Sequence, residues 1–179
     1  MPSMKSDFEE IGLLPPKTSI LSDSIVLSFP QEVPNCFEML IRVVNSVLMT
    51  FMNDNIILRG AITAGPLFHQ DGIVFGPALV RAHMLGENIA IYPRCIVDPE
   101  KIDLLFYPPL IDKDAGISFP IDGDGILYYD HFLQALYVAH QEQANFQTEK
   151  IQRLRELIAN NIKEYQHNTR ILQKYLLMK

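Results

Sequence analysis

Residues 74–97 read VFGPALVRAHMLGENIAIYPRCIV. Gly76 and Pro77 open a segment that reads as a helix reaching about Glu87. Pro77 suits the first turn, where the N–H that proline lacks has no helical partner. Ile89–Val97 is apolar and β-branched and reads as a strand. Working outward towards the N-terminus, Leu67–Phe75 contains His69-Gln70-Asp71-Gly72, which reads as a hairpin turn. Ile56–Ala64 reads as a strand ended by Gly65-Pro66. Before it, Phe37, Leu40, Ile41, Val44, Val47, Leu48 and Phe51 recur at three- and four-residue spacing. That periodicity predicts a helix from Pro34 to about Asn53, with Pro34 in its first turn and Asn53-Asp54-Asn55 as its stop.

Further out, Thr18–Phe29 (TSILSDSIVLSF) reads as two short strands around Ser22-Asp23-Ser24. Asp and Ser suit such a turn because their side chains bond nearby backbone amides. Residues 1–17 are polar, end in Pro15-Pro16 and read as an arm, which leaves 18–179 as one domain. On the C-terminal side, 98–125 reads as loops with short pieces and Asp130–His140 as one helix. The run from about Gln143 to Tyr165 reads as a long helix carrying the stripe Ile151, Leu154, Ile158, Ile162 and Tyr165. That stripe suits either a core face or a homodimer seam. Ile171, Leu172, Tyr175 and Leu176 form a last apolar cluster. This order of strands, hairpins and helices predicts an α+β fold with a mostly antiparallel sheet, helices packed on it and a long C-terminal helix.

Composition narrows the function classes. The chain has 179 residues, 48% hydrophobic and 20% charged, as a globular domain does. Fifteen Lys and Arg against 21 Asp and Glu give −6, with no basic run. Binding to long nucleic acid needs clustered cations, so no such partner is expected. A mononucleotide is compatible, because a bound metal supplies positive charge. No uncharged apolar run reaches the ~18–20 residues of a bilayer span, and MPSMKSDFEE lacks the apolar core of a signal peptide. The two cysteines, Cys36 and Cys95, suggest neither a disulfide framework nor a zinc cluster. The expectation is a cytoplasmic protein without a membrane partner.

Three stretches in order, ILSDSIVLSF (20–29), ILRGAITAGPLF (57–68) and VFGPALVRAHMLGENIAIYPRCIV (74–97), resemble the class III nucleotidyl cyclase homology domain. They are most similar to its divergent bacterial and phage branch, which includes pyrimidine cyclases of antiviral defence. The resemblance covers roughly residues 18–178. It implies a cyclase-like (ferredoxin-like) sheet and an isologous homodimer with substrate bound between protomers. The implied activity is conversion of a nucleoside triphosphate, UTP or CTP, to a 3′,5′-cyclic nucleotide with release of pyrophosphate. Mg2+ or Mn2+ is the implied cofactor, stabilising the attacking and leaving oxygens.

By this resemblance Asp23 matches the metal-binding aspartate of the hairpin, with Ser22 and Ser24 shaping its turn. The plain alternative is that Asp23 caps the turn. The family's first strand supplies a second metal aspartate and a phosphate loop. The stretch before Asp23 is too short for that unit, so both are expected to be missing, and Asp7 reads as a solvated residue of the arm. On the helix after Gly76, Val80 and Met84 occupy the family's Asn and transition-state Arg positions. Arg81 is the nearby candidate for a displaced catalytic arginine, against the plain reading of a solvent-facing side chain. Ser19 and Ile73 occupy the base-reading positions of purine enzymes, which disfavours a purine, and Lys17 and Asp71 are neighbouring candidates for shifted contacts. Arg59, Gly60 and Gly65 match the family's RGxIxxG strand. Arg59 is a candidate partner of a phosphate or carboxylate, against a purely structural role for all three, and the glycines are expected to allow close packing and a turn. A catalytically incomplete member, acting as a dimerising or nucleotide-sensing module, is the alternative function.

Other motifs read as ordinary structure. Asp112–Gly116 and Asp122–Gly125 lack the EF-hand ligand pattern and read as polar turns. His69, His83, His131, His140 and His167 show no paired metal-ligand spacing, and His69 and His83 are expected in solvent or partly buried. Cys36 and Cys95 read as small apolar residues.

Overall fold

The computed structural model describes residues 15–91, 93–105, 119–131 and 144–168. Its strands are β1 (Lys17–Leu21), β2 (Ser24–Ser28), β3 (Gly60–Ile62), β4 (Phe68–Gln70), β5 (Ile73–Phe75), β6 (Cys95–Val97) and β7 (Tyr128–Tyr129). The helices are α1 (Cys36–Asn53), α2 (Pro77–Asn88), α3 (Ile102–Leu105) and α4 (Ala144–Glu164), with a 3-10 turn at Pro99–Lys101. The fold is α+β, with mostly antiparallel pairing and a long C-terminal helix, as expected. The strands pair as three small sheets: β1-β2, β3-β6-β7 and β4-β5.

The central sheet explains the core. β3 and β6 are parallel and β7 joins β6 antiparallel. Side chains alternate across a strand, so each strand feeds two faces. Ile62, Cys95, Val97 and Tyr129 share one cluster with Phe37, Ile41 and Leu48 of α1. Ile96 shares the other with Leu85 of α2 and Ala90, with Ala61 and Tyr128 packed against it. The sheet is therefore covered on both faces. That is why the β6 sequence Cys95-Ile96-Val97 is buried throughout and does not alternate with polar residues. Phe119 stacks on Phe37 and meets Tyr129 at a tilt, at 5.8 and 5.7 Å between ring centres.

Both two-residue hairpins carry their turn chemistry in the sequence. Between β4 and β5, Asp71 and Gly72 have φ of 51° and 78°, the double positive φ of a type I′ turn. Between β1 and β2, Ser22 has φ 55° at the first loop position.

Several boundaries differ from expectation. β3 and β6 are shorter than Ile56–Ala64 and Ile89–Val97. Ile89 and Ala90 close α2 instead, their amides donating to the Leu85 carbonyl at 3.0 and 2.9 Å. α1 starts at Cys36, after Asn35 at φ 58°, so Pro34 lies in the preceding turn and not in the helix. By length and composition alone α1 is apolar enough to cross a membrane, but here Phe37, Ile41 and Leu48 of α1 form the core against the sheet. α4 spans nearly the expected residues. Among its described side chains Leu157 is buried and Ile158, Ile162 and Tyr165 are half-buried. The arm's residues 1–14, the turn Asp112–Gly116, most of Asp130–His140 and the cluster Ile171–Leu176 lie outside the described residues.

Candidate functional site

The carboxyl ends of the parallel pair β3-β6 carry a buried ionic group, one of two arginine–aspartate clusters among the described residues, the other being Arg94 with Asp122 and Asp124. Asp98 follows β6 directly and its amide donates to the Ile62 carbonyl at 2.8 Å. Its side chain is fully buried (0% exposed) yet charged. It accepts from Arg81 Nε at 3.0 Å and Arg81 Nη2 at 2.7 Å, a two-pronged pair across from α2. Thr63 Oγ1, just past β3, donates to it at 2.6 Å, and the Glu100 amide donates at 3.1 Å. The Arg81 hydrogen bonds outweigh burial and, with Thr63, hold the Asp98 carboxyl down at about 2. Arg81 also meets Glu100 Oε1 at 3.0 Å. Arg81 is thus neither free in solvent nor on bare helix surface. It sits where the C-terminal ends of the parallel pair β3-β6 meet α2. The sequence signal for Asp98 was present as a lone Asp after an apolar run, but nothing local tied it to Arg81.

Asp23 stands at the tip of the β1-β2 hairpin, exposed, with Ser24 Oγ at 3.5 Å. It offers a single exposed carboxylate, which by itself supplies one oxygen ligand of the kind a hard cation takes. Among the described residues no three His, Cys, Asp or Glu side chains gather to hold a metal, so a two-ion clamp is not built from them.

Ser19 is buried and committed elsewhere, its hydroxyl lying 2.9 Å from His69 Nε2. His69 Nδ1 lies 2.8 Å from Ser28 Oγ. One imidazole therefore bridges both strands of the first hairpin to β4, with one ring nitrogen donating and the other accepting. Burial and then Lys17 push its pKa down, so the neutral ring that makes this clasp is favoured. The expectation of a solvated or partly buried His69 is corrected: in β4 it points inward while Phe68 and Gln70 face out.

Arg59 is used structurally. It donates to the Gly86 and Ala90 carbonyls at 2.7 and 3.1 Å and pairs with Glu87 at 2.5 Å, tying β3 to the end of α2. Ile73, Lys17 and Asp71 are exposed. No side-chain hydrogen bond or ion pair among the described residues joins any two of Asp23, Ser19, Ile73, Arg59 and Arg81. Val80 and Met84 are 58% and 52% exposed, and with Ile73, Phe68 and Phe75 they leave α2 and the β4-β5 hairpin with apolar side chains in solvent. Phe68 and Phe75 stack across the hairpin at 4.9 Å.

The glycine roles also shift. A Cβ at Gly60 or Gly65 would meet only ordinary contacts, at 3.7 and 3.6 Å. Gly76 is the tight position: at φ 139° its added Cβ would lie 2.8 Å from the Pro66 carbonyl oxygen. The Asp122–Gly125 turn is a polar turn as expected, and its Asp122 and Asp124 pair with the buried Arg94 ahead of β6.

Comparison with family models, curated proteins and solved structures finds no match to this chain.

Proposed function

We propose that this chain is a nucleotidyl cyclase-like domain that converts a nucleoside triphosphate, UTP or CTP, to its 3′,5′-cyclic nucleotide and pyrophosphate. The observation that carries this reading is Asp23, an exposed carboxylate at a two-residue turn within the first of the three family-like stretches. A bound Mg2+ or Mn2+ would supply charge neutralisation of the phosphates. The chain's own residues divide the remaining work. Asp23 anchors the ion, and Arg81, oriented by Asp98, offers its guanidinium to a phosphate as the positive group of the helix. The proposed setting is a cytoplasmic homodimer acting in antiviral defence. The test is incubation of the purified chain with each of the four NTPs and Mn2+, reading cyclic product by mass spectrometry. Activity with Asp23→Ala should fall at least a hundredfold while its melting curve stays unchanged. No cyclic product from any NTP overturns the enzyme reading.

A second reading has its own support. Exposed Val80 and Met84, at the family's Asn and Arg positions, cannot donate to a phosphate, and together with Ile73, Phe68 and Phe75 they suit a contact surface. On this reading the chain is a catalytically incomplete module that dimerises. A dimer in light scattering that Val80→Glu dissociates, with no cyclase activity, would favour it.

A further inference from the structure

Arg81 leaves part of its guanidinium unused. Nε and Nη2 are fixed by Asp98, which is itself fully buried and further bonded by Thr63 and the Glu100 amide. The plane of the group is therefore held from beneath. Nη2 makes one more contact, at 3.0 Å to Glu100 Oε1. Nη1 carries no hydrogen bond among the described residues, and the Arg81 side chain is 34% exposed. Its outer edge thus faces water beside a single carboxylate. That carboxylate, on Glu100, is 70% exposed, and exposed ion pairs bind their partners weakly. A guanidinium fork receives carboxylate and phosphate oxygens by the same geometry.

Charge sharpens the point. Arg81 contributes +1 and Asp98 and Glu100 contribute −1 each, so the cluster sums to −1. A polyphosphate approaching it meets repulsion while Glu100 is ionised, and a neutral cluster once that charge is removed.

We infer that the outer edge of Arg81 is a subsite for a polyphosphate oxygen and that Glu100 is its built-in competitor, an internal carboxylate displaced when the phosphate docks. This rests on the reading of Arg81 as a phosphate contact. Glu100 sets the affinity threshold of the subsite, and Asp98 positions the guanidinium without touching the ligand.

Inorganic pyrophosphate is the probe, titrated into the full chain at low salt while the Arg81 Nε–Hε NMR signal is followed. Glu100→Gln should tighten binding about tenfold, since a unit charge a few ångströms away is removed, and 0.5 M salt should erase most of the gain. Glu38→Gln is the control. It makes the same charge change beside exposed Arg42 and should leave affinity unchanged. A tenfold gain with a moving Arg81 signal supports the inference. Binding that moves Arg81 equally in wild type and Glu100→Gln overturns the competitor role and leaves the phosphate contact standing. Binding with an unmoved Arg81 signal overturns the subsite but not the cyclase reading, because the phosphate then docks elsewhere. No binding to either protein, with both folded by melting curve, overturns the subsite and the phosphate-contact reading together.

Discussion

Replacing Asp98 with asparagine keeps the side chain's shape and removes its charge, which isolates what the buried carboxylate contributes. In the native fold it accepts two hydrogen bonds from Arg81, one from Thr63 at 2.6 Å and one from the Glu100 amide at 3.1 Å. These bonds, chiefly those of Arg81, hold its pKa near 2, below the ordinary value of about 3.9 in an unfolded chain. A carboxylate depressed on folding stabilises the native state above its unfolded pKa, and that contribution is lost as pH falls towards the folded value. A depression of this size corresponds to at most about 2.6 kcal/mol. Arg81 is 34% exposed, so water screens part of the attraction, and about 2 kcal/mol is the working figure. Urea unfolding of wild type and Asp98→Asn should differ by about 2 kcal/mol at pH 7. The gap should narrow steadily from pH 4.5 to pH 3. A double-mutant cycle with Arg81→Met should show coupling above about 1 kcal/mol, since the two side chains share one pair of bonds. A difference under about 0.5 kcal/mol at pH 7, or one that does not change with pH, refutes the assignment of Asp98 as the ionic anchor of this end of the sheet.

Two further outcomes bear on the scaffold. Gly76→Ala should cost about 3 kcal/mol in urea unfolding, because the φ 139°, ψ 170° backbone is glycine territory and the new Cβ would press the Pro66 carbonyl at 2.8 Å; a loss below 1 kcal/mol refutes that geometry. Burial pushes His131 down to about 4, so the native state disfavours its protonation and stability should fall as pH drops from about 6.5 to 4, by up to about 3 kcal/mol. An NMR titration of its ring should give a midpoint near 4, and His131→Leu should flatten most of that pH slope, the remainder tracking His69, which is shifted the same way.

Elements whose cause is local were legible in the sequence. The α1 stripe Phe37, Ile41 and Leu48 packs inward as its spacing implies. Asp71-Gly72 forms the double positive-φ turn that its residue types favour. α4 begins and ends within about a residue of its periodic run. Strand lengths were not legible. β3 and β6 stop where their partner stops, and apolar residues beyond that point, such as Ile89 and Ala90, are used to close a helix. The polar side chains followed the same division. The exposed turn position of Asp23 follows from residue type and neighbours, whereas the burial of Asp98 depends on partners from β3, α2 and the Pro99–Lys101 turn.

The sequence by itself determined the α+β class, the two hairpin turns and the exposed Asp23, because backbone preference and hydrophobic period act over a few neighbouring residues. Only the tertiary structure decided that Arg81 grips Asp98 across 17 positions and that His69 clasps Ser19 and Ser28 across 50 and 41. It also committed Arg59 to the end of α2. A charged or imidazole side chain chooses its partner by burial and by the groups that converge around it. Those groups come from different elements, so the choice is made only when the sheet and helices pack.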